Sequence, residues 1–226
     1  MFIDEVENYL PEQVSLLKCF MNPRTNAMIY VGDLAQQTSL CTMRSWDAVG
    51  EVFPEGRSVL LQKTYRSTKE ILQYIKNIGY SQVYISEGSP SGAPVAEAIC
   101  STVQEEIVYV KSIIDKNQEK VIGVLAKSSE YLQLVRDSLK DFPNVQILSI
   151  SEAQGVEFEI VCFIGLEEAL YISEVAEGDS EDFTKERIRV SRDLIYVALT
   201  RAMQELHVIG RTPLKLIVDQ LVQAIV

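Results

Sequence analysis

The run Arg192-Asp193-Leu194-Ile195-Tyr196-Val197-Ala198-Leu199-Thr200-Arg201-Ala202 carries two arginines nine residues apart on an apolar frame. Leu194, Ile195, Val197, Ala198 and Leu199 recur at helical spacing, which predicts a helix that packs one face and turns its arginines out to solvent. A guanidinium is a permanent charge with a planar fork of donors, a match for phosphate oxygens. Acid chemistry stands at the other end of the chain. Met1, Phe2 and Ile3 read as the end of a buried strand, and Asp4, Glu5 and Glu7 follow at once. A strand that delivers Asp-Glu can offer one carboxylate to Mg²⁺ and leave the other to orient or deprotonate a water. Three further polar junctions lie between these ends: Val31-Gly32-Asp33 with Gln36, Thr64-Tyr65-Arg66-Ser67, and Gln154-Gly155-Val156-Glu157-Phe158. Taken one at a time, each is an ordinary turn or loop; their order gives them meaning.

Composition narrows the class of protein. A chain of 226 residues with 47% hydrophobic and 23% charged residues can bury a real core in one large or two small domains. Its net charge of -11 speaks against a simple basic nucleic-acid-binding module, but the charge is uneven. Seven carboxylates and no base lie between Glu167 and Asp182, whereas Lys63, Arg66, Lys69 and Lys76 face only Glu70. Cys19, Cys41, Cys100 and Cys162 are widely spaced, form no CxxC pair and have only His207 as an imidazole companion. That pattern argues against a zinc site or a disulfide framework and reads as a reducing, cytoplasmic compartment. No run approaches a membrane span, and the acids near the start are wrong for a signal peptide.

The elements that must position these junctions follow from periodicity. Pro11 opens a helix through about Met21, with Val14, Leu16, Leu17 and Phe20 as its buried side. Ala27 to Val31 and Val59 to Gln62 read as strands, and Trp46 reads as a core anchor. Ser67 or Thr68 caps a helix whose stripe is Ile71, Leu72, Ile75 and Ile78. Gly79 to Pro94, rich in Gly, Ser and Pro, is a surface loop. Beyond it strands at Val95–Ile99, Val121–Ala126 and Val145–Ile150 alternate with helices at Val103–Lys116 and Ser129–Lys140. A strand from Phe158 to Leu166, an acidic mobile loop from Glu168 to Lys185, the Arg192–Arg201 helix, a strand from Leu206 to Ile209 holding a packed His207, and a last helix from Pro213 complete the chain. Such alternation implies βαβ units: an α/β fold with a parallel sheet flanked by helices.

In this order the five junctions resemble motifs II to VI of the UvrD/Rep-type superfamily 1 helicases. Tyr196-Val197-Ala198-Leu199-Thr200-Arg201-Ala202 carries most of the likeness, and Gln154-Gly155-Val156-Glu157-Phe158 the next share. Pro11-Glu12-Gln13, Gly32-Asp33-Leu34-Ala35-Gln36 and Arg44-Ser45-Trp46-Asp47 look closest to the HelD or helicase IV branch. The resemblance implies a RecA-like fold: residues 1–60 as a remnant of a first RecA-like domain with motifs II and III, and 61–226 as the second with motifs IV to VI. It implies ATP clamped between two such domains, Mg²⁺ on Asp4, water activation by Glu5 and γ-phosphate sensing by Gln36. Tyr65 would stack near the adenine, Glu157 would bond the ribose, and Gly155 would admit the ligand close to the backbone. Arg66 and Arg201 would act as arginine fingers, and the implied track is single-stranded DNA. The chain departs from the family at Glu7, where Gln is expected, at Gln154, where Lys is expected, and at Val190-Ser191, where acids are expected. No GxxxxGK[ST] loop occurs in the 226 residues, so the expectation is a C-terminal portion of a longer protein, inactive by itself without its N-terminal Walker A segment. The alternative is a non-catalytic module that docks on nucleic acid or on a protein such as RNA polymerase.

Overall fold

The computed structural model describes residues 1–225 apart from 26, 51, 54–55, 62–65 and 171–179, and its backbone divides into two units, Met1–Leu61 and Gln62–Val226. In the first unit, β1 (Phe2–Ile3) pairs in parallel with β2 (Ile29–Tyr30). Between them α1 (Pro11–Lys18) starts where Pro11 presets the helical φ and the Gln13 side chain accepts the Leu10 N–H at 2.8 Å. Ile3, Val6, Val14, Met43 and Val49 form a small core, with Leu17, Tyr30 and Phe53 packed against it. A two-strand sheet cannot cover a long helix. Helix α1 therefore stops short of Met21, and the expected core residues Leu16 and Phe20 are exposed. Trp46 is not a core anchor either: it opens a short 3₁₀ helix, Trp46–Val49, in which Val49 takes the buried place.

The second unit builds α2 (Lys69–Asn77), β3 (Ala96–Ile99), α3 (Val103–Lys116), β4 (Ile122–Ala126), α4 (Ser129–Leu139), β5 (Val145–Ser149), β6 (Phe158–Phe163), α5 (Glu181–Thr200), β7 (Ala202–Gly210) and α6 (Leu214–Gln223). The five strands are all parallel, in the order β3-β7-β6-β4-β5. Every residue of β4 is buried, as a parallel strand covered on both faces requires. On one face Val124, Ile160 and Cys162 pack with Val110, Ile114, Leu132 and Val135 of α3 and α4. The opposite face lies under α5 against β6 and β7, with α2 and α6 beside α5. Helix starts follow the side-chain caps: Thr68, Thr102, Ser128 and Ser180 each accept a backbone N–H three residues on.

Several expectations are corrected. Val59, Leu60 and Leu61 form no strand and are about four-fifths exposed, because neither sheet offers that run a ladder; the rest of the expected strand lies outside the described residues. The acidic stretch before Arg192 is not loop throughout: α5 begins at Glu181, where Glu181 and Asp182 in its first turn favour the helix dipole. Strand β7 starts at Ala202 rather than Leu206, one residue beyond the helix cap. The segment from Gly79 to Pro94 is irregular, yet it buries Tyr80 completely and Val83, Ser86 and Ser89 nearly so. Among the described residues no helix is long and apolar enough to cross a membrane.

Gly123 in β4 shows how tightly the sheet is filled, since a Cβ there would lie 2.5 Å from the Phe158 ring. Gly123→Ala is expected to destabilise the second unit by about 1–3 kcal/mol in urea unfolding, and pairing it with Phe158→Leu is expected to recover part of that loss.

Candidate functional site

Phe158 and Ala202 open two neighbouring parallel strands in register, and the Phe158 N–H donates to the Arg201 carbonyl at 2.9 Å. The residues just before those strands, Glu157 and Arg201, are therefore neighbours at the amino edge of the sheet. Ser67 Oγ donates to the Ala202 carbonyl at 2.8 Å and brings the start of α2 to the same edge. There the Arg66 guanidinium meets the Glu157 carboxylate at 2.7 Å. Gly155 stands ahead of them with φ +76° and no atom within 4 Å of where a Cβ would be, so its conformation, not crowding, calls for glycine. Tyr65, expected beside Arg66, lies outside the described residues.

Arg201 does not leave the helix for solvent as expected. It is 5% exposed, with Nε donating to Val197 O at 3.1 Å and Nη2 to Thr200 Oγ1 at 3.4 Å. The carbonyl end of α5 makes that a favourable place for a cation. Arg192 sits 4.8 Å over the Tyr80 ring and donates to Gly79 O at 3.0 Å, while Tyr80 OH donates to Arg192 O at 2.6 Å. The segments flanking α2 are thus fastened at both ends, to the start of β7 through Ser67 and to α5 through Tyr80.

The carboxyl edge of the same sheet holds a second polar group that sequence reasoning missed. After β4 the chain turns one way to β5, and after β6 it turns the other way to β7, which makes the β4/β6 boundary a topological switch point, where open α/β sheets place ligands beyond their carboxyl ends. Lys127 follows β4 and donates to Ser191 Oγ at 3.3 Å; burial holds its ammonium below the usual lysine range. Ser128 Oγ donates to Glu168 Oε2 at 3.0 Å. Glu106, in the first turn of α3, accepts from Tyr131 OH at 2.8 Å and Gly165 N–H at 3.2 Å, and burial pushes its carboxyl up to about 7. The available signal was Lys127-Ser128 directly after an apolar strand.

In the first unit Asp4 and Glu5 are exposed at the carboxyl end of β1. Asp4 Oδ1 accepts the Glu5 N–H at 3.0 Å, and Glu5 adopts φ +49°, a left-handed conformation costly for a residue other than glycine. Beyond β2, Asp33 accepts Gln36 Nε2 at 2.9 Å and the Ala35 N–H at 3.0 Å. Glu7 points inward, 4% exposed, and accepts the Asp33 N–H at 3.2 Å. A Cβ at Gly32 would lie 2.2 Å from the Glu7 carboxylate, so only glycine admits it. Among the described residues no three of His, Cys, Asp and Glu stand together as a metal-holding group. Mg²⁺ needs less from a protein, one or two carboxylates with water and phosphate completing its shell, and the exposed Asp4 carboxylate fits that demand.

The family model of the UvrD-like helicase C-terminal domain matches residues 97–211, a stretch that includes Gly155, Glu157 and Arg201. The chain is 22% identical over 182 residues to a DNA helicase II of Rickettsia typhi, covering 71% of this chain and 25% of that protein. It is 28% identical over 134 residues to an ATP-dependent DNA helicase PcrA of Leuconostoc citreum, covering 57% of this chain and 17% of that protein. The chain therefore spans a quarter or less of the length of these relatives. A solved C-terminal domain of a possible DNA helicase from Lactobacillus plantarum WCFS1 aligns with a TM-score of 0.49 at 18% identity, over 68% of this chain and 92% of that one.

Glu7 supplies a pH test. Burial pushes its carboxyl from 4.5 up to about 7, with the charges of Asp33 and Glu5 adding to the effect. The folded pKa lies above the unfolded one, so stability of the first unit falls as pH rises from about 4.5 to about 7 and levels off above that. Glu7→Gln is expected to remove this slope and to stabilise the unit at pH 8 by at most about 3 kcal/mol. Urea unfolding at pH 5 and pH 8, followed by fluorescence of Trp46, the chain's one tryptophan, checks it.

Proposed function

The chain belongs to the UvrD-like helicase C-terminal domain family, and from that premise we propose that it is the C-terminal motor portion of a cytoplasmic, ATP-dependent DNA helicase or translocase that couples ATP hydrolysis to movement on single-stranded DNA. The observation that carries the reading is the gathering of Arg66, Gly155, Glu157 and Arg201 at one edge of the sheet. Residues 1–60 are proposed as the remnant of the first RecA-like domain and 61–226 as the second. The phosphate-cradling segment that these residues lack belongs, on this reading, to an N-terminal portion of the full protein.

As the terminal P–O bond breaks, its electron pair leaves with the diphosphate oxygen while negative charge stays spread over the transferring γ-phosphoryl oxygens, and fixed positive charge aimed at that charge lowers the barrier. Arg66 and Arg201 supply that charge. Glu5, exposed beside Asp4, orients or deprotonates the attacking water, and Gln36, braced on Asp33, senses the γ-phosphate. Asp4 would hold Mg²⁺, which offsets phosphate charge when bound. Tyr65 stacks near the adenine, Glu157 accepts from the ribose, and Gly155 leaves room for the ligand at the backbone. Single-stranded DNA is assigned to the carboxyl edge, where Lys127 flanks the switch point and would exchange its bond to Ser191 Oγ for one to a backbone phosphate.

A second reading is a helicase-derived module without hydrolysis that docks on nucleic acid or, as the HelD likeness allows, on RNA polymerase. Gln154 in place of Lys favours it.

Phosphate release from ATP, with and without single-stranded DNA, separates the two when measured on this chain and on the longest natural form containing it. The motor reading expects DNA-stimulated release in the long form and an Arg201→Ala loss of about 10³-fold or more; unchanged turnover would remove Arg201 from the mechanism, and silence in both forms would favour the docking module. Lys127→Ala is expected to weaken single-stranded DNA binding across sequences and to lower the salt slope by about one.

A further inference from the structure

Arg66 and Glu157, to which the proposed function gives different parts of one nucleotide, hold each other at 2.7 Å. Their backbones are pinned: Ser67, next to Arg66, is bonded to the Ala202 carbonyl, and Phe158, next to Glu157, donates to the Arg201 carbonyl. Their side chains are not equally confined. The Arg66 side chain is 69% exposed on a long flexible stem, whereas Glu157 is 29% exposed beside the open space at Gly155. The pair can therefore part by a swing of Arg66 with no change in the sheet.

Different ligands present different exchanges. A sugar alone offers the carboxylate neutral hydroxyl donors, weaker than the guanidinium they would displace. A phosphate chain alone takes Arg66 but leaves the Glu157 carboxylate uncompensated and facing an anion. A ligand that carries both satisfies both partners at once. We propose that the Arg66–Glu157 pair is an exchange latch, opened by a phosphorylated nucleoside with a hydroxyl-bearing sugar and resisting a bare phosphate chain. The latch makes sugar recognition and phosphate recognition a single event, and it rests on the reading of these two residues as nucleotide ligands.

The test titrates the longest natural form containing this chain and its Glu157→Gln, Arg66→Gln and double variants with ATP, 2′,3′-dideoxy-ATP and inorganic tripolyphosphate in the presence of Mg²⁺, read by phosphorus NMR, after equal urea midpoints establish that the variants fold. The latch expects Glu157→Gln to bind tripolyphosphate about two- to five-fold more tightly, the worth of a partly exposed ion pair, and to lose most of the preference for ATP over the dideoxy analogue. It expects the tightening to vanish in the Arg66→Gln background. Unchanged tripolyphosphate affinity would make Glu157 a sugar ligand only, and weaker binding of all three would make it a brace for Arg66; either result overturns the latch while the nucleotide reading stands. Failure of ATP to bind wild type or any variant overturns that reading and the latch with it.

Discussion

The backbone hydrogen bond from Phe158 N–H to the Arg201 carbonyl is the joint on which the second unit's site depends. It fixes the register in which β6 and β7 begin, and so it fixes which residues precede them. Glu157 and Arg201 lie 44 positions apart in sequence yet become neighbours because two parallel strands start level. No loop separates α5 from β7, so Arg201 has little freedom of its own. Thr200 Oγ1 bonds to the carbonyls of Tyr196 and Val197, both at 3.0 Å, and tightens the last turn before that junction. Helix α2 then joins the same frame through Ser67 and Tyr80, which carries Arg66 with it. The cations and the carboxylate of this edge are thus held by a sheet, two helices and a short list of hydrogen bonds, and a shift in any strand register would separate them.

Where local signals were strong, the elements were legible. Helix α3 starts at its Thr102 cap and ends where the apolar period ends, and β4 is a short apolar run between polar residues. The start of α5 was hidden because Glu181 and Asp182 read as acidic loop, although acids in a first turn after a serine also cap a helix. Val59 to Leu61 has the composition of a strand, but a strand exists only if a neighbour accepts its ladder, and that is a long-range fact. The site shows the same limit. Arg66, Glu157 and Arg201 were each recognisable by type, while their gathering depends on the strand order β3-β7-β6-β4-β5, which no local pattern encodes. Glu106 was invisible for another reason: a charged residue in an amphipathic helix reads as solvent-facing, and only the Tyr131 hydroxyl and Gly165 N–H explain its burial.

Glu7 illustrates how a departure from a sequence pattern can be absorbed by the fold. A carboxylate near phosphate would be repulsive if ionised and outward. Here it faces inward, against the one residue, Gly32, whose missing side chain leaves it room. Burial favours its neutral form. A neutral carboxyl has one donor and one strong acceptor, much like the amide that the resemblance led us to expect at this position. The bond it makes to the Asp33 N–H ties the turn after β1 to the turn after β2, so it helps keep Asp33 and Gln36 in place.

The buried placement of Arg201 follows from the electrostatics of a helix end. A guanidinium at 5% exposure needs partners for its donors, and the last turn of α5 presents carbonyl oxygens with partial negative charge. The helix therefore offsets part of the cost of removing the charge from water and keeps the side chain close to its own axis. Neutral carbonyls hold a cation less strongly than an anion does. Arg66 differs in being held by a full carboxylate rather than by carbonyls. The described contacts of the two arginines of the edge thus differ in kind, Arg201's with a helix end and Arg66's with an ion, and it is the second contact that the proposed latch would make depend on what else an incoming ligand carries.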